Sequence, residues 1–239
     1  MIEKKYIDGI RWASSLSDEF KGKLATIAQH KIIVPTDHVS LQKLSSSGVS
    51  YIIKGTAVVT MQTPSLKTIN SMVFGPGDWF GDYQSQKDSI LSFKFSLVGT
   101  IDIITFDNEK LQHLIHEDME TFRWLYYISY ESKPKWLQSQ LLSSEKKEVK
   151  IVYLLLELAV HQLRNSAANT NLFISQQALS EMIGISRQRV NEVLINLQLM
   201  HYISLERNCI NLLNLKGLGY LLNEVDLSIR DPRILLLDV

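Results

Sequence analysis

The sequence predicts an α+β protein with an N-terminal antiparallel β-roll (a cupin-like jelly roll), a long helix and a C-terminal winged helix-turn-helix. β-Branched and aromatic runs separated by turn residues fill residues 38–106, and an aromatic helical stretch follows them. Several short strands at this spacing indicate an antiparallel sandwich or barrel. Two further helical patterns flank Gly184, and two helices joined by a tight turn form a helix-turn-helix. We therefore expect a roll over residues 1–117, a long helix and hinge over 118–145, and a helix-turn-helix domain over 146–239.

The composition indicates a soluble, cytoplasmic protein. The 239 residues are 45% hydrophobic and 21% charged, and no apolar run is long enough to span a membrane. The first residues, MIEKKYIDGIRW, do not form a secretion signal. The net charge is zero, so any surface that attracts nucleic acid must be local. The single cysteine, Cys209, excludes both an intrachain disulfide and a cysteine-held iron–sulfur cluster.

The N-terminal half predicts first helix and then strands. Residues 6–30 are expected to form one or two short helices, with Ser17 as an N-cap. The predicted strands are HVSLQKL (38–44), VSYIIKG (49–55), TAVVTMQ (56–62), TINSMVF (68–74), LSFKFSLVG (91–99) and IDIITF (101–106). The segment FGPGDWFGDY (74–83) is the densest turn signal and predicts a tight corner between strands. Anion binding by its backbone N–H groups is the alternative, although no Walker-type lysine accompanies it.

Residues 108–142 predict helix with an unusually high aromatic content. Their apolar side chains point in several directions, which is more than one core can bury, so the helix should contact both the roll and a partner subunit. Pro134 should kink this helix or split it in two. A homodimer is therefore expected, and its candidate seam consists of Phe122, Leu125, Ser129, Trp136 and Leu137 at roughly heptad spacing.

Residues 174–199 are the part of the chain that points most clearly to a function. Gly184 can supply a left-handed cap for the first helix, and Ser186 can cap the second. The second helix, 187–199, opens with two arginines and a glutamine, whose polar groups match guanine and adenine edges in the major groove. An ordinary helical hairpin with a solvated end is the alternative. The following segment, YISLERNCINLLN (202–214), predicts a β-hairpin in the position of a wing.

Taken together, these segments resemble the Crp/Fnr family of bacterial transcription regulators over residues 10–220. The motifs that carry the resemblance are GISRQRVNEVLINL (184–197), VSYIIKGTAVV (49–59) and FGPGDWFGD (74–82). In that family, the roll senses a signal, the long helix dimerises, and the recognition helices bind a palindromic operator in double-stranded DNA. The resemblance implies the same partners here, together with RNA polymerase.

Carried over position by position, the resemblance also implies three groups of DNA contacts. The base edges would be read by Arg187, Gln188 and Asn191 or Glu192. The phosphates would be bound by Ser175, Gln177 and Ser186. Arg189 would serve either purpose, and the wing would reach the DNA backbone with Arg207 or Asn208.

The effector pocket that the resemblance implies departs from the cyclic-nucleotide pattern. Family members that bind cyclic nucleotide hold the ribose with an acidic corner residue and the phosphate with an Arg-Ser pair. Here the corner residue is Asp82, shorter than Glu by one methylene, and the pair reads Leu91-Ser92. A buried phosphate without a guanidinium loses the hydrogen bonds that offset its desolvation, so cyclic AMP is not the expected effector. The candidate pocket residues are Gly81, Asp82, Leu91, Ser92 and Trp136, the last from the stretch that caps the nucleobase in the family.

The sequence predicts neither an enzyme nor a cofactor. No Ser-His-Asp or Cys-His arrangement can be singled out, and the clustered cysteines of Fnr-type oxygen sensors are absent. His113 and His116 are interpreted as part of a solvated helix end rather than as metal ligands. Two functions remain, a homodimeric DNA-binding regulator and a small-molecule sensor that acts through protein contacts with a degenerate winged helix. The arginines that open the recognition helix favour the first.

Overall fold

The computed structural model describes residues 3–37, 44, 48–65, 67–81, 92–165 and 170–237. The N-terminal part begins with two helices, α1 (Lys4–Asp8) and α2 (Asp18–Ile27). The strands that follow are β1 (Ala28–Ile33), β2 (Gly48–Gln62), β3 (Thr68–Phe74), β4 (Trp79–Gly81) and β5 (Ser92–Asp107). The chain continues with α3 (Asn108–Glu117), the long helix α4 (Glu120–Leu141) and a 3₁₀ turn (Leu142–Ser144).

The strands form one antiparallel sheet with the order β1-β5-β2-β3, and β4 pairs with the first part of β2. The two longest strands pair from Gly48 opposite Asp107 to Gln62 opposite Ser92. Their register shifts twice, between Ile52 and Lys54 and between Lys54 and Thr56, and the second shift spans Gly55, whose φ is +92°. A residue with a Cβ at position 55 would collide with the carbonyl of the facing strand, so glycine allows the sheet to bend and roll up there.

An aromatic cluster joins the N-terminal helices, the roll and the long helix. Trp124 of α4 is fully buried, and its ring lies 5.1 Å from Phe106 and 5.5 Å from Trp79, centroid to centroid, in edge-to-face contacts. Phe20 of α2 packs against the same ring at 6.5 Å. Each aromatic residue buries a large apolar area, so this cluster holds one face of the long helix against the roll.

Three predictions about these elements need correction. Residues 28–30, expected to be helical, begin strand β1, because this strand pairs with Ile101–Phe106 and the ladder outweighs their local preference. The segments 49–55 and 56–62 are one bent strand, as are 91–99 and 101–106 from Ser92 onwards. The helix is not split at Pro134, since a single helix runs from Glu120 to Leu141. The predicted strand 38–44 lies outside the described residues except for Leu44, which is buried.

The C-terminal part contains α5 (Lys147–Asn165), β6 (Asn171–Leu172), α6 (Gln176–Ile183), α7 (Arg187–Leu199), β7 (Ile203–Glu206), β8 (Cys209–Leu212), α8 (Leu215–Tyr220) and α9 (Pro232–Leu235). Helix α5 is the centre of its core, since Ile151, Leu155 and Ala159 are fully buried. The same core includes Val58 and Val73 of the roll, so the two parts of the chain are packed together. Among the described residues, no helix is both long and apolar enough to cross a membrane.

Candidate nucleic-acid interface

The turn between α6 and α7 has the geometry that its sequence predicts. Gly184 has a left-handed φ of +74°, and its N–H donates to the carbonyl of Ser180 at 2.9 Å. Ser186 caps α7, because its Oγ accepts from the N–H of Arg189 at 3.4 Å. Ser175 caps α6 in the same way, with the N–H of Ala178 at 3.1 Å. These caps satisfy backbone donors that a helix start leaves free and fix where each helix begins.

The two sides of α7 have opposite chemistry. One side is packed into the C-terminal core through Val190, Val193, Leu194 and Leu197, each of them at most 3% exposed. The other side is open to solvent, and its polar members are Arg187, Gln188, Arg189, Asn191 (half-buried) and Glu192. An α-helix whose buried face is fixed by a core, and whose exposed face carries arginine and amide groups, can enter a major groove and contact base edges.

A cleft of about 370 Å³ lies between the starts of α6 and α7 and the β7–β8 hairpin, which is the predicted wing. Five of the predicted DNA-contact residues line it, namely Ser175, Gln177, Arg187, Arg207 and Asn208. The wing's turn occupies residues 207–208, with Asn208 in the left-handed region at φ +56°. The remaining candidates, Ser186, Gln188, Arg189, Asn191 and Glu192, do not line the cleft but lie along the adjoining cap and helix. Gln176 also lines the cleft, although no motif in the sequence indicated this residue.

Two ion pairs connect this surface to the rest of the chain, and neither was predicted. Glu192 Oε2 lies 2.9 Å from Nζ of Lys147, at the start of α5. Glu181 binds Lys94 of the roll at 2.7 Å and accepts from the side-chain amide of Gln177 at 2.9 Å. These hydrogen bonds, that from Lys94 first, lower the pKa of Glu181. Sequence patterns could not reveal the pairs to Lys147 and Lys94, because their partners lie 45 and 87 residues apart.

A second candidate site is a cavity of about 750 Å³ between the roll and the long helix. Of the five pocket residues predicted from the sequence, Gly81 and Trp136 line it. Asp82 and Leu91 lie outside the described residues, and Ser92 is described only as the first residue of β5. Most of the described lining is apolar, with Phe74, Phe80, Phe93, Phe95, Trp79, Val59 and Met72 from the roll.

The polar side chains in the described wall of this cavity are Ser129, Ser132, Lys133 and Gln140, all from the long helix. Nε1 of Trp136 is buried and has no acceptor among the described residues. Lys133 also lines the cavity, but its ammonium lies 5.5 Å from the Tyr126 ring and 5.7 Å from the Tyr130 ring. Lys135, aligned with the nucleobase cap of the family, is buried elsewhere and donates to Asp78 and to the carbonyl of Val73. Within the described wall, no arginine is available for a phosphate.

The long helix exposes several large apolar side chains. Trp124 and Ile128 are buried against the roll, whereas Tyr126 and Tyr130 are more than half exposed. Among the candidate seam residues, Phe122 is 49% and Leu137 52% exposed, and Ser129 is also exposed. Leu125 and Trp136 are half-buried, and both line the roll cavity, as do Ser129 and Leu137. A stripe of this size on one helix is larger than isolated surface apolar residues require.

Comparisons with known proteins agree with this architecture. Residues 149–221 match the Crp-like helix-turn-helix domain. A comparison with curated protein sequences gives no match. Among solved structures, the chain is similar to a Crp/Fnr-family transcriptional regulator from Eubacterium rectale, with a TM-score of 0.64 and 13% identity over 86% of this chain and 94% of that one.

Two other solved structures show the same likeness. A Crp-family transcriptional regulator from Thermus thermophilus has a TM-score of 0.59 and 17% identity over 80% of this chain and 95% of that one. FixK2 from Bradyrhizobium japonicum has a TM-score of 0.56 and 16% identity over 82% of this chain and 97% of that one. At such identities the likeness is one of fold, and it confirms the predicted fold class.

Proposed function

Because the chain carries a Crp-like helix-turn-helix domain on the fold of Crp/Fnr transcription regulators, we propose that it is a homodimeric regulator that binds a palindromic operator. In this proposal residues 1–117 sense a signal, 118–145 dimerise and 146–239 bind DNA. One observation carries the proposal. The first turn of α7 is capped by Ser186 and the helix packs against the core on one face, while Arg187, Gln188 and Arg189 are exposed to solvent.

The groups around the cleft divide into base readers and phosphate binders. Arg187 and Gln188 project from the first turn of α7, where side chains reach base edges in the major groove, and the helix continues with Asn191. Ser175 uses its Oγ to accept from Ala178, so its hydroxyl hydrogen remains available to a phosphate oxygen. Arg207 stands on the wing, where a guanidinium can contact the adjacent backbone.

Lys147 makes the proposed reading surface less acidic. A free carboxylate at Glu192 would repel the phosphates of an approaching duplex, but it can also accept from the amino group of cytosine. The ammonium of Lys147, 2.9 Å from it, offsets this negative charge. The overall charge of the chain is zero, so local pairing of this kind matters for DNA affinity.

The long helix supplies the proposed two-fold contact. Since one recognition helix reads only a few base pairs, specificity requires two of them, one helical turn of DNA apart. The exposed stripe on α4 that includes Phe122 and Leu137 is a surface that a second copy can cover.

The effector is proposed to be an uncharged, largely apolar molecule, and not cyclic AMP. The aromatic lining of the roll cavity supports a ligand with an apolar body. A cyclic phosphate in this cavity would be desolvated without an arginine among the described wall residues.

Selection of bound fragments from random duplex DNA tests the proposal. We expect a palindromic site to be enriched, and Arg187→Ala should weaken binding by about 1–3 kcal/mol and relax one base pair per half-site. Ser175→Ala should weaken all sequences about equally, and Lys110→Ala, which removes an exposed cation from α3, should change nothing. If no sequence is enriched, the protein is instead a sensor whose winged helix no longer reads DNA.

A further inference from the structure

The C-terminal segment 222–237 follows the matched domain and folds back across the hinge between α4 and α5. Leu222 and Leu227 are buried in the core of the helix-turn-helix domain, which anchors the segment. Beyond them, Arg230 reaches the middle of α5, where its Nε and a terminal nitrogen donate to the two oxygens of Glu157 at 2.8 and 2.9 Å. A bidentate pair of this kind fixes the orientation of both side chains.

The same segment also binds the long helix, on the other side of the hinge. Gln138 of α4 is fully buried, and its amide nitrogen donates to the carbonyl of Asp226 at 2.8 Å. Its amide oxygen accepts from the backbone N–H of Arg230 at 3.2 Å. Arg230 therefore holds α5 with its side chain and α4 with its backbone, and the 3₁₀ turn 142–144 lies between the two attachment points in the chain.

A second buried ion pair joins this contact to the roll. Lys135, one turn before Gln138 on α4, donates to Asp78 Oδ2 at 2.8 Å and to the carbonyl of Val73 at 2.9 Å. Lys135, Glu157 and Arg230 line one small cavity of about 70 Å³ at the junction of roll, long helix and α5. We call Asp78, Lys135, Gln138, Glu157 and Arg230 the hinge cluster.

The hinge cluster is electrically balanced. Burial raises the pKa of Glu157, but the charge and hydrogen bonds of Arg230 outweigh this effect, so its pKa lies below the usual range. His161, also fully buried beside Glu157 and Asp78, stays neutral because burial lowers its pKa to about 3. Two carboxylates therefore face two cations, and removal of any one leaves a buried charge without its counterion.

The hinge cluster also touches the wall of the roll cavity. Asp78 immediately precedes Trp79 and Lys135 immediately precedes Trp136, and both tryptophans line that cavity. A molecule bound in this cavity therefore lies against residues that neighbour both partners of the Asp78–Lys135 pair in the chain. The roll corner is in close contact with α5, since a methyl group on Gly75 would collide with the ring of His161.

We propose that the segment 222–237 is a clamp across the hinge. The hinge cluster holds the clamp in place, and the clamp sets the angle between the long helix and the part of the chain that contains α5 and the recognition helix. Its connection to the cavity makes it the element through which a bound effector changes this angle. The clamp itself follows from the contacts of a single chain, whereas its effect on operator affinity rests on the proposed function.

Hydrogen–deuterium exchange of the full chain without DNA tests the clamp. Arg230→Met removes the bidentate pair, and Gln138→Leu removes both bonds from α4 while keeping every charge. We expect each variant to raise exchange in residues 142–150 by about tenfold or more, because the amides next to the hinge then open locally. Arg233→Met is the matched control, since Arg233 pairs with Asp231 inside the segment and its bonds do not cross the hinge. It should leave this exchange unchanged.

Operator affinity is the second readout. Once a selected site is known, Arg230→Met and Gln138→Leu should weaken its binding by about tenfold, because two independently moving domains lose more entropy on binding. If folded Gln138→Leu exchanges residues 142–150 at the same rate as the wild type, the clamp is overturned, even if Arg230→Met fails to fold. Raised exchange with unchanged operator affinity would overturn its role in DNA binding. If the wild-type protein selects no DNA, the proposed function fails, while the exchange result still decides the clamp.

Discussion

Asp78→Asn should destabilise the protein strongly although it changes almost no volume. In the wild type, Asp78 Oδ2 accepts from Lys135 Nζ and from the N–H of Gly75, both at 2.8 Å. Asparagine retains an oxygen for Gly75 but removes the negative charge, and the Lys135 side chain is only 7% exposed. Removing one partner of a buried pair costs about 3–5 kcal/mol, because the remaining charge is left without compensation.

Urea unfolding at pH 7, followed by tryptophan fluorescence at fixed protein concentration, measures this loss. The double variant Asp78→Asn with Lys135→Met should recover most of it, since it also removes the buried ammonium. Asp78→Asn within about 0.5 kcal/mol of the wild type would refute the reasoning, because surface substitutions commonly have effects of that size.

The pH dependence of the same experiment gives an independent check. Burial raises the pKa of Asp78, but the charge of Lys135 and the further lowering interactions, among them the hydrogen bonds from Lys135 and Gly75, together outweigh this effect and the net shift is downward. Its stabilising contribution is therefore complete above the unfolded pKa of about 3.9 and is lost as the pH falls through the lower folded value. Asp78→Asn should lack this acid-dependent loss. Burial lowers the pKa of Lys135 despite the charge of Asp78, so just below the unfolded pKa of about 10.4 the folded state binds fewer protons than the unfolded state. Without Asp78 this pKa should fall further, so the stability that Asp78→Asn loses relative to the wild type should become smaller as the pH rises toward that value.

Three further predictions concern the effector, the dimer and the turn. Calorimetry with cyclic AMP should show no binding at micromolar nucleotide, because Leu91 stands where the family has its phosphate-binding arginine, and a saturable heat would contradict this. Sedimentation should show a wild-type dimer, whereas Phe122→Glu with Tyr126→Glu, at two exposed positions of the stripe, should give monomers that lose operator affinity; a variant that stays dimeric would move the interface elsewhere. Gly184→Ala should lower stability by about 1–2 kcal/mol in thermal unfolding, because its φ is +74° and the new methyl would lie 2.6 Å from a roll side chain. Gly22→Ala, where the added methyl has open space, is its control and should not destabilise.

The helix-turn-helix was predictable because its signals are local. Gly184 and Ser186 each act on backbone groups within four residues of themselves, and both have the predicted conformation or cap. The wing was predictable for the same reason, since its two strands are joined by the two-residue turn Arg207–Asn208. The packing of this unit against the roll was not, because it depends on contacts such as the hydrogen bond from Ser71 to the carbonyl of Met182.

The roll was predictable in type but not in its strand lengths. Gly55 and Gly99 divide the sequence into short runs, yet the chain continues in strand conformation through both of them. Glycine at such positions serves a bend or bulge inside a strand as readily as a turn between strands, and only the partner strand decides which. Strand β1 likewise depends on its pairing with β5, which comes some seventy residues later.

In the hinge cluster, the sequence indicates that a buried charge needs a partner but does not identify that partner. Glu157 is the only charged residue in the apolar run IVYLLLELAVHQL, and a charge at the centre of a buried helix requires a partner. The run therefore predicts that a cation exists, but nothing in it selects Arg230, which lies 73 residues later. For Lys135 the sequence does not even indicate burial, since a lysine on an aromatic helix is ordinarily expected to be exposed. Both charges are buried only because the terminal segment and the roll corner meet at the hinge, so their partners follow from the packing of distant parts and not from local pattern.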